Sequence, residues 1–158
     1  MVKITLQRDF REFLSLLIKH EVQFLVVGGY AVGIHGYPRF TGDLDIFVAI
    51  SPENAARIVA AFREFGFDVP ELSTEPFLES RRLVEIGREP TKIQVMTNIS
   101  GVTFDEAWTS HVEIKVGGMT VPFIGFSDLI RNKRASGRAK DVVDADSLEK
   151  RRSNRQFE

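Results

Sequence analysis

Two aspartates, Asp43 and Asp45, flank a single leucine at the entrance of the apolar run Leu44 to Ile50. Residues two apart on a strand point to the same side, with Cα atoms roughly 7 Å apart. If the two carboxylates converge to about 4 Å, they repel by ~4 kcal/mol at an effective dielectric near 20. Relief can come from an arginine or lysine, from a proton, or from a metal cation. Two oxygen-only acidic ligands suit Mg²⁺, which takes one or two carboxylates together with substrate phosphates. The plainer alternatives are that both acids are solvated at a strand end, or that one caps a turn after Gly42.

The surroundings narrow the choice. Upstream, "VQFLVV" reads as a buried strand that stops at Gly28-Gly29 and passes into a short helical segment. Glycines at such a junction let an anion approach backbone N–H groups, although they suit any tight strand-to-helix turn as well. Thirteen residues separate Gly29 from Asp43. If the two strands are sheet neighbours, the diglycine and the carboxylates share one sheet edge, a place to hold a nucleoside triphosphate and its magnesium. "GGYAVG" lacks the Gly-Lys-Ser/Thr ending of a P-loop and does not fit a dinucleotide fingerprint.

The segment "FLVVGGYAVGIHGYPRFTGDLDIFV", Phe24 to Val48, resembles the signature of the nucleotidyltransferase superfamily of the polymerase β type. That signature is hydrophobic-Gly-Gly or Gly-Ser, a spacer, then Asp-x-Asp/Glu between hydrophobic residues. The later "ISGVTFDEAW" and "LIRNKRASGRAKDVVD" are similar to segments of the small stand-alone prokaryotic members, some of them encoded as toxins. The resemblance implies a mixed β-sheet flanked by helices, with further C-terminal helices, of the α/β (α+β) class.

It also implies roles. Asp43 and Asp45 would ligate Mg²⁺ and orient in-line attack on the α-phosphorus of a bound triphosphate such as ATP. Gly28 and Gly29 match the positions that approach the phosphates, and Arg39 and Thr41 could add contacts, or simply be solvated in a loop. Members of the superfamily carry a third carboxylate on a later strand, and the matching position here is Gln94. An amide offers a carbonyl oxygen but no charge, and cannot act as a base. Glu85 could substitute if a hairpin pairs it opposite Gln94. In the basic stretch "RNKRASGRAK", Lys133 and Lys140 are the first candidates to reach the triphosphate and Arg138 the third. The alternative is a solvated basic face.

Elements that could position these residues follow from periodicity. Phe10, Phe13, Leu14, Leu17 and Ile18 repeat at helical spacing, predicting a helix from Asp9 to about His20. Ser51, Pro52 and Glu53 signal the start of a helix with Ala55, Ile58, Val59, Phe62 and Phe65 inward, ending at Gly66. "FDVPELSTEPFLES" reads as a loop with one helical turn. Hairpins are expected around "REPT" and around Gly117-Gly118. A short helix falls near Phe104 to Trp108. A helix capped by Ser127 and ended by Gly137 follows. A last helix would present Val142, Val143 and Leu148, before a frayed tail at 151–158.

The 158 residues, 43% apolar and 27% charged, fit one domain over 1–150 with a full core. A net charge of −1 gives no global attraction to nucleic acid or anionic membrane. The absence of cysteine excludes disulfides, thiolate nucleophiles and thiolate metal sites. His20, His35 and His111 lack partners at zinc-ligand spacing. With no signal-like start and no apolar run near ~20 residues, a cytoplasmic protein is expected. Two functions remain open: Mg²⁺-dependent transfer of a nucleoside monophosphate to a hydroxyl on RNA, protein or a small molecule, or a non-catalytic module that binds nucleotide or a toxin–antitoxin partner.

Overall fold

The structure is a computed structural model that describes residues 6–39, 41–88 and 91–155. Helix α1 (Arg8–Lys19) places Phe10, Phe13, Leu14 and Leu17 on one buried face, as their spacing requires. Strand β1 (Phe24–Val27) follows, then the short helix α2 (Gly28–Ile34), which begins at the diglycine itself. Strand β2 (Leu44–Val48) and helix α3 (Pro52–Glu64) come next. The Ser51 hydroxyl accepts from the Asn54 N–H and caps α3. Phe13 meets Phe62 and Phe65 edge-on at 5.6 and 5.2 Å, locking α1 to α3.

A 3-10 turn at Glu75–Leu78 precedes strands β3 (Leu83–Arg88) and β4 (Thr91–Met96). The tip of this expected hairpin, 89–90, lies outside the described residues. Helix α4 (Phe104–Thr109) starts with a capping box between Thr103 and Glu106. The second expected hairpin is β5 (Val112–Val116) with β6 (Met119–Phe123). Helices α5 (Phe126–Ser136) and α6 (Ala139–Arg155) pack on each other across Gly137, which takes the left-handed conformation that ends α5.

The six strands form one mixed sheet in the order β3-β4-β2-β1-β6-β5. β1 lies antiparallel to β2, and β2 parallel to β4. All four residues of β1 are buried, as are Leu44, Ile46, Phe47 and Val48 of β2. Residues facing each other across strands share a face of the sheet, so Asp45, Gln94 and Glu85 stand in one row across β2, β4 and β3. At the β3 edge that face is open, with Leu83 and Glu85 exposed.

Three details differ from the sequence reading. Helix α5 is capped by Gly125, not Ser127, and Ser127 makes no cap hydrogen bond. The buried face of α6 is Asp141, Asp144, Ala145 and Leu148, while Val143 is 55% exposed. The expected frayed tail is helical through Arg155; residues 156–158 lie outside the described set. No helix among the described residues is long and apolar enough to cross a membrane.

Candidate active site

Asp45 sits in the second position of β2, opposite Val27 of β1 and Gln94 of β4. It is therefore fixed between two strands at the point where β1 turns into α2. Gly28 makes this possible. Its φ is +69°, and a Cβ built there would fall on Asp45 Oδ2. Gly29 makes the same kind of room, since its Cβ would fall on Thr41 Oγ1. The diglycine thus serves the carboxylate and the threonine directly, beyond any approach of phosphate to the backbone.

Asp43 precedes the strand and is held at its edge, where its Oδ1 accepts from the Lys92 N–H at 3.1 Å. Asp45 is less well served. Its Oδ1 is buried with no hydrogen-bond partner among the described residues. Burial and the neighbouring Asp43 charge push its pKa up to about 6, although Lys133, Lys140 and Arg138 pull the other way. An orphaned carboxylate oxygen of this kind costs on the order of a few kcal/mol unless something positive completes it.

The cations come from the α5–α6 corner. Lys133 Nζ lies 3.1 Å from Asp141 Oδ1 and 3.3 Å from Asp144 Oδ2, with its side chain 7% exposed. Arg39 Nε and Nη2 donate to the two oxygens of Asp144 at 2.9 and 2.8 Å, a bidentate pair. This ties the chain at Arg39 to α6. Arg138 pairs with Asp141 at 2.9 Å, and Ser136 Oγ donates to the same carboxylate at 2.6 Å. Burial alone would raise the Asp141 pKa, but bonds from Ser136 and Lys133 and the cationic charges win and hold it low.

Two adjoining cavities open on these residues. A loop-side cavity of about 340 Å³ is lined by Gly29, Arg39, Thr41, Asp43 and Lys140. A strand-side cavity of about 390 Å³ is lined by Gly28, Arg81, Met96, Asn98 and Asn132, among others. Asp45, Gln94, Lys133, Arg138 and Asp141 belong to both. Of the residues singled out from the sequence for this site, all but Glu85 face one or both cavities.

Glu85 does pair opposite Gln94, as its substitution for a third carboxylate required. Its carboxylate is instead held by Lys92 Nζ at 2.8 Å. That bond and charge, with a further one from the Gln94 amide, keep its pKa low. Glu85 lines neither cavity. Among the described residues no three His, Asp or Glu side chains gather as a ligand cluster, the structural counterpart of an amide at position 94.

Asp141 and Asp144 were missed from sequence. Their signal was the i, i+3 spacing of two acids in "KDVVDAD" beside the basic "RNKR". Such a pattern reads equally well as a solvated charged helix face.

The sequence profile of a family described as nucleotidyl transferase of unknown function (DUF2204) matches residues 6–158. No curated protein matches the chain in sequence. Among solved structures, the fold is similar to a protein of Thermotoga maritima described only provisionally as a nucleotidyltransferase. The two share 19% identity over 90% of this chain and 89% of that one, with a TM-score of 0.55. It is also similar to the lincosamide antibiotic adenylyltransferase LnuA, solved with lincomycin bound, at 13% identity over 92% and 97% of the two chains and a TM-score of 0.55. The third is the antibiotic-resistance factor ANT(2'')-Ia, at 12% identity over 89% and 80%, with a TM-score of 0.56.

Proposed function

The chain belongs to this family of nucleotidyl transferases, and from that premise we propose that it moves a nucleoside monophosphate from a triphosphate such as ATP to a hydroxyl acceptor in a Mg²⁺-dependent reaction. The observation that carries the reading is the buried, unpartnered Oδ1 of Asp45 beside Asp43, at the head of two cavities rimmed by lysine and arginine. The donor set fits the metal: two carboxylates and the amide oxygen of Gln94 are hard oxygen ligands, and the orphaned oxygen lacks a cation. When bound, Mg²⁺ would neutralise charge on the phosphates and on the attacking and leaving oxygens.

The chain's own residues do the rest. Asp43 and Asp45 would hold the ion, and Gly28 leaves room for Asp45 as Gly29 does for Thr41. Lys140 and Arg138, both exposed and both facing the loop-side cavity, bind the β- and γ-phosphates. Lys133, fixed by Asp141 and Asp144, presents a positioned charge at the wall shared by the two cavities. Thr41 contributes a hydroxyl. Arg39 pairs with Asp144 and so anchors its own segment to α6.

Gln94 cannot accept the acceptor's proton, and Asp141, with its lowered pKa, is a poor base. This supports a slow enzyme, and it also favours a second reading, a nucleotide-binding module without turnover. Transfer of label from α-labelled triphosphates separates them. We expect wild-type transfer that is lost in Asp43→Asn and Asp45→Asn and raised in Gln94→Asp. Equal labelling in all four proteins refutes the enzyme, and tight, metal-independent nucleotide binding without labelling favours the module.

A further inference from the structure

We infer that the strand-side cavity is the acceptor subsite, and that it selects a hydroxyl compound bearing a phosphate over a polycationic one. The inference rests on the nucleotidyl-transfer reading above. In a phosphoryl displacement the attacking and leaving oxygens lie roughly in line, on opposite sides of the phosphorus. The residues common to both cavities place the reacting phosphorus at their shared wall. Arg39, Thr41 and Lys140 belong only to the loop-side cavity, which makes it the polyphosphate side. The acceptor oxygen then arrives from the strand side. It attacks the α-phosphorus, the bond to the bridging oxygen breaks, pyrophosphate leaves, and the hydroxyl proton passes to solvent.

The strand-side lining sets the class of acceptor. Its two carboxylates are already committed: Asp45 to the metal, and Asp141 to Lys133, Arg138 and Ser136. The charges added on this side are Arg81 and Arg82. Arg82 pairs with Glu79 at 2.7 Å. Arg81 makes no ion pair among the described residues, and its φ is +61°. Holding a long side chain in the left-handed region has a cost in strain that Gly or Asn would relieve. An unpaired arginine kept there against that cost, facing the cavity, is a fitting for an anion. The floor beneath it is the cross-strand pair Leu83 and Met96, with Leu83 half-exposed. Arg81, Asn98 and Ile99 also line an adjoining groove of about 690 Å³, so an acceptor can extend past a single small unit.

The test uses the full chain and Arg81→Asn, in which the new residue tolerates the same backbone, with Arg81→Lys as the charge-conserving control. The phosphate-bearing probes are a fluorescent single-stranded octaribonucleotide with a free 3′-hydroxyl and, separately, ribose 5-phosphate. Ribose is the uncharged comparison and tobramycin the polycation. Probe binding, labelled product and binding of a Mg²⁺–triphosphate analogue are each measured. We expect a phosphate-bearing probe to bind and be labelled, about tenfold more weakly in Arg81→Asn and close to wild type in Arg81→Lys, with Mg²⁺–triphosphate binding unchanged. The oligonucleotide alone responding marks a polynucleotide end; ribose 5-phosphate responding marks a small phosphorylated acceptor.

Preference for tobramycin or plain ribose, or no response to Arg81→Asn, overturns the assignment. So does a tenfold loss of triphosphate binding in Arg81→Asn with the probes unaffected, because the cavity then holds the nucleoside. Failure of the wild type to bind Mg²⁺–triphosphate at all overturns the parent reading instead.

Discussion

Replacing Asp45 by asparagine should stabilise the metal-free protein while removing its response to magnesium. The Asp45 pKa is raised from an ordinary 3.8 to about 6, first by burial and then by Asp43. In the folded chain it therefore holds its proton more tightly than in the unfolded chain. Between about pH 4 and 6 the native state carries the extra proton, so stability falls as pH rises through this window. Above about pH 6 the penalty is fully in force. Two pH units correspond to about 3 kcal/mol, an upper bound because local relaxation reduces it. The Asp45→Asn variant removes that charge, so its melting temperature at pH 8 should exceed the wild type's by about 5–10 °C for a chain of this size. At pH 4 the two should melt alike, because the wild-type carboxyl is then protonated too. Adding magnesium with a triphosphate analogue should raise the wild-type melting temperature and leave the variant's unchanged. The assay is thermal unfolding by circular dichroism across pH 4–8. A variant less stable than wild type at pH 8, or a difference that does not vary with pH, would refute the account of Asp45 as an uncompensated buried charge.

Other perturbations probe the scaffold. Gly28→Ala places a methyl group on Asp45 Oδ2 and forces a non-glycine residue to φ +69°, so a loss of about 2 kcal/mol and weakened metal binding are expected by thermal melt and titration. Asp144→Asn removes the acid shared by Lys133 and Arg39, leaving buried cationic charge less well matched. A loss of about 3 kcal/mol, measured by urea unfolding, is expected, together with greater protease sensitivity next to Arg39. Asn54→Leu strips hydrogen bonds from the Gln23 N–H and from the carbonyls of Gln23 and Ala49 beneath α3. A loss of about 3 kcal/mol without effect on nucleotide affinity is expected.

Much of this organisation was legible in the chain. Helices α1 and α3 followed from apolar spacing, α3 from its Ser51 cap as well, and both hairpins from paired runs around turns. The diglycine and the aspartate pair pointed to one sheet edge, and the pairing of β1 with β2 puts them there. What sequence could not give was the partner of each charge. Lys133 in "RNKRASGRAK" reads like any exposed lysine, yet it is buried because Asp141 and Asp144 sit opposite on α6. For the same reason Val143, expected inward, points out: the corner between α5 and α6 is closed by acids and small residues. The cap of α5 was misplaced because Gly125 can start a helix without a side-chain bond. The choice between Glu85 and Gln94 hung on Lys92, whose cross-strand reach no local pattern reveals.

In the proposed reaction Asp43 and Asp45 are kept together to hold a divalent ion shared with a polyphosphate. Crystals grown with Mn²⁺ and a triphosphate analogue that resists cleavage between the α- and β-phosphates test it through manganese anomalous scattering. A peak in contact with both carboxylates and with phosphate oxygens is expected. A bound triphosphate with no manganese at either aspartate would contradict it.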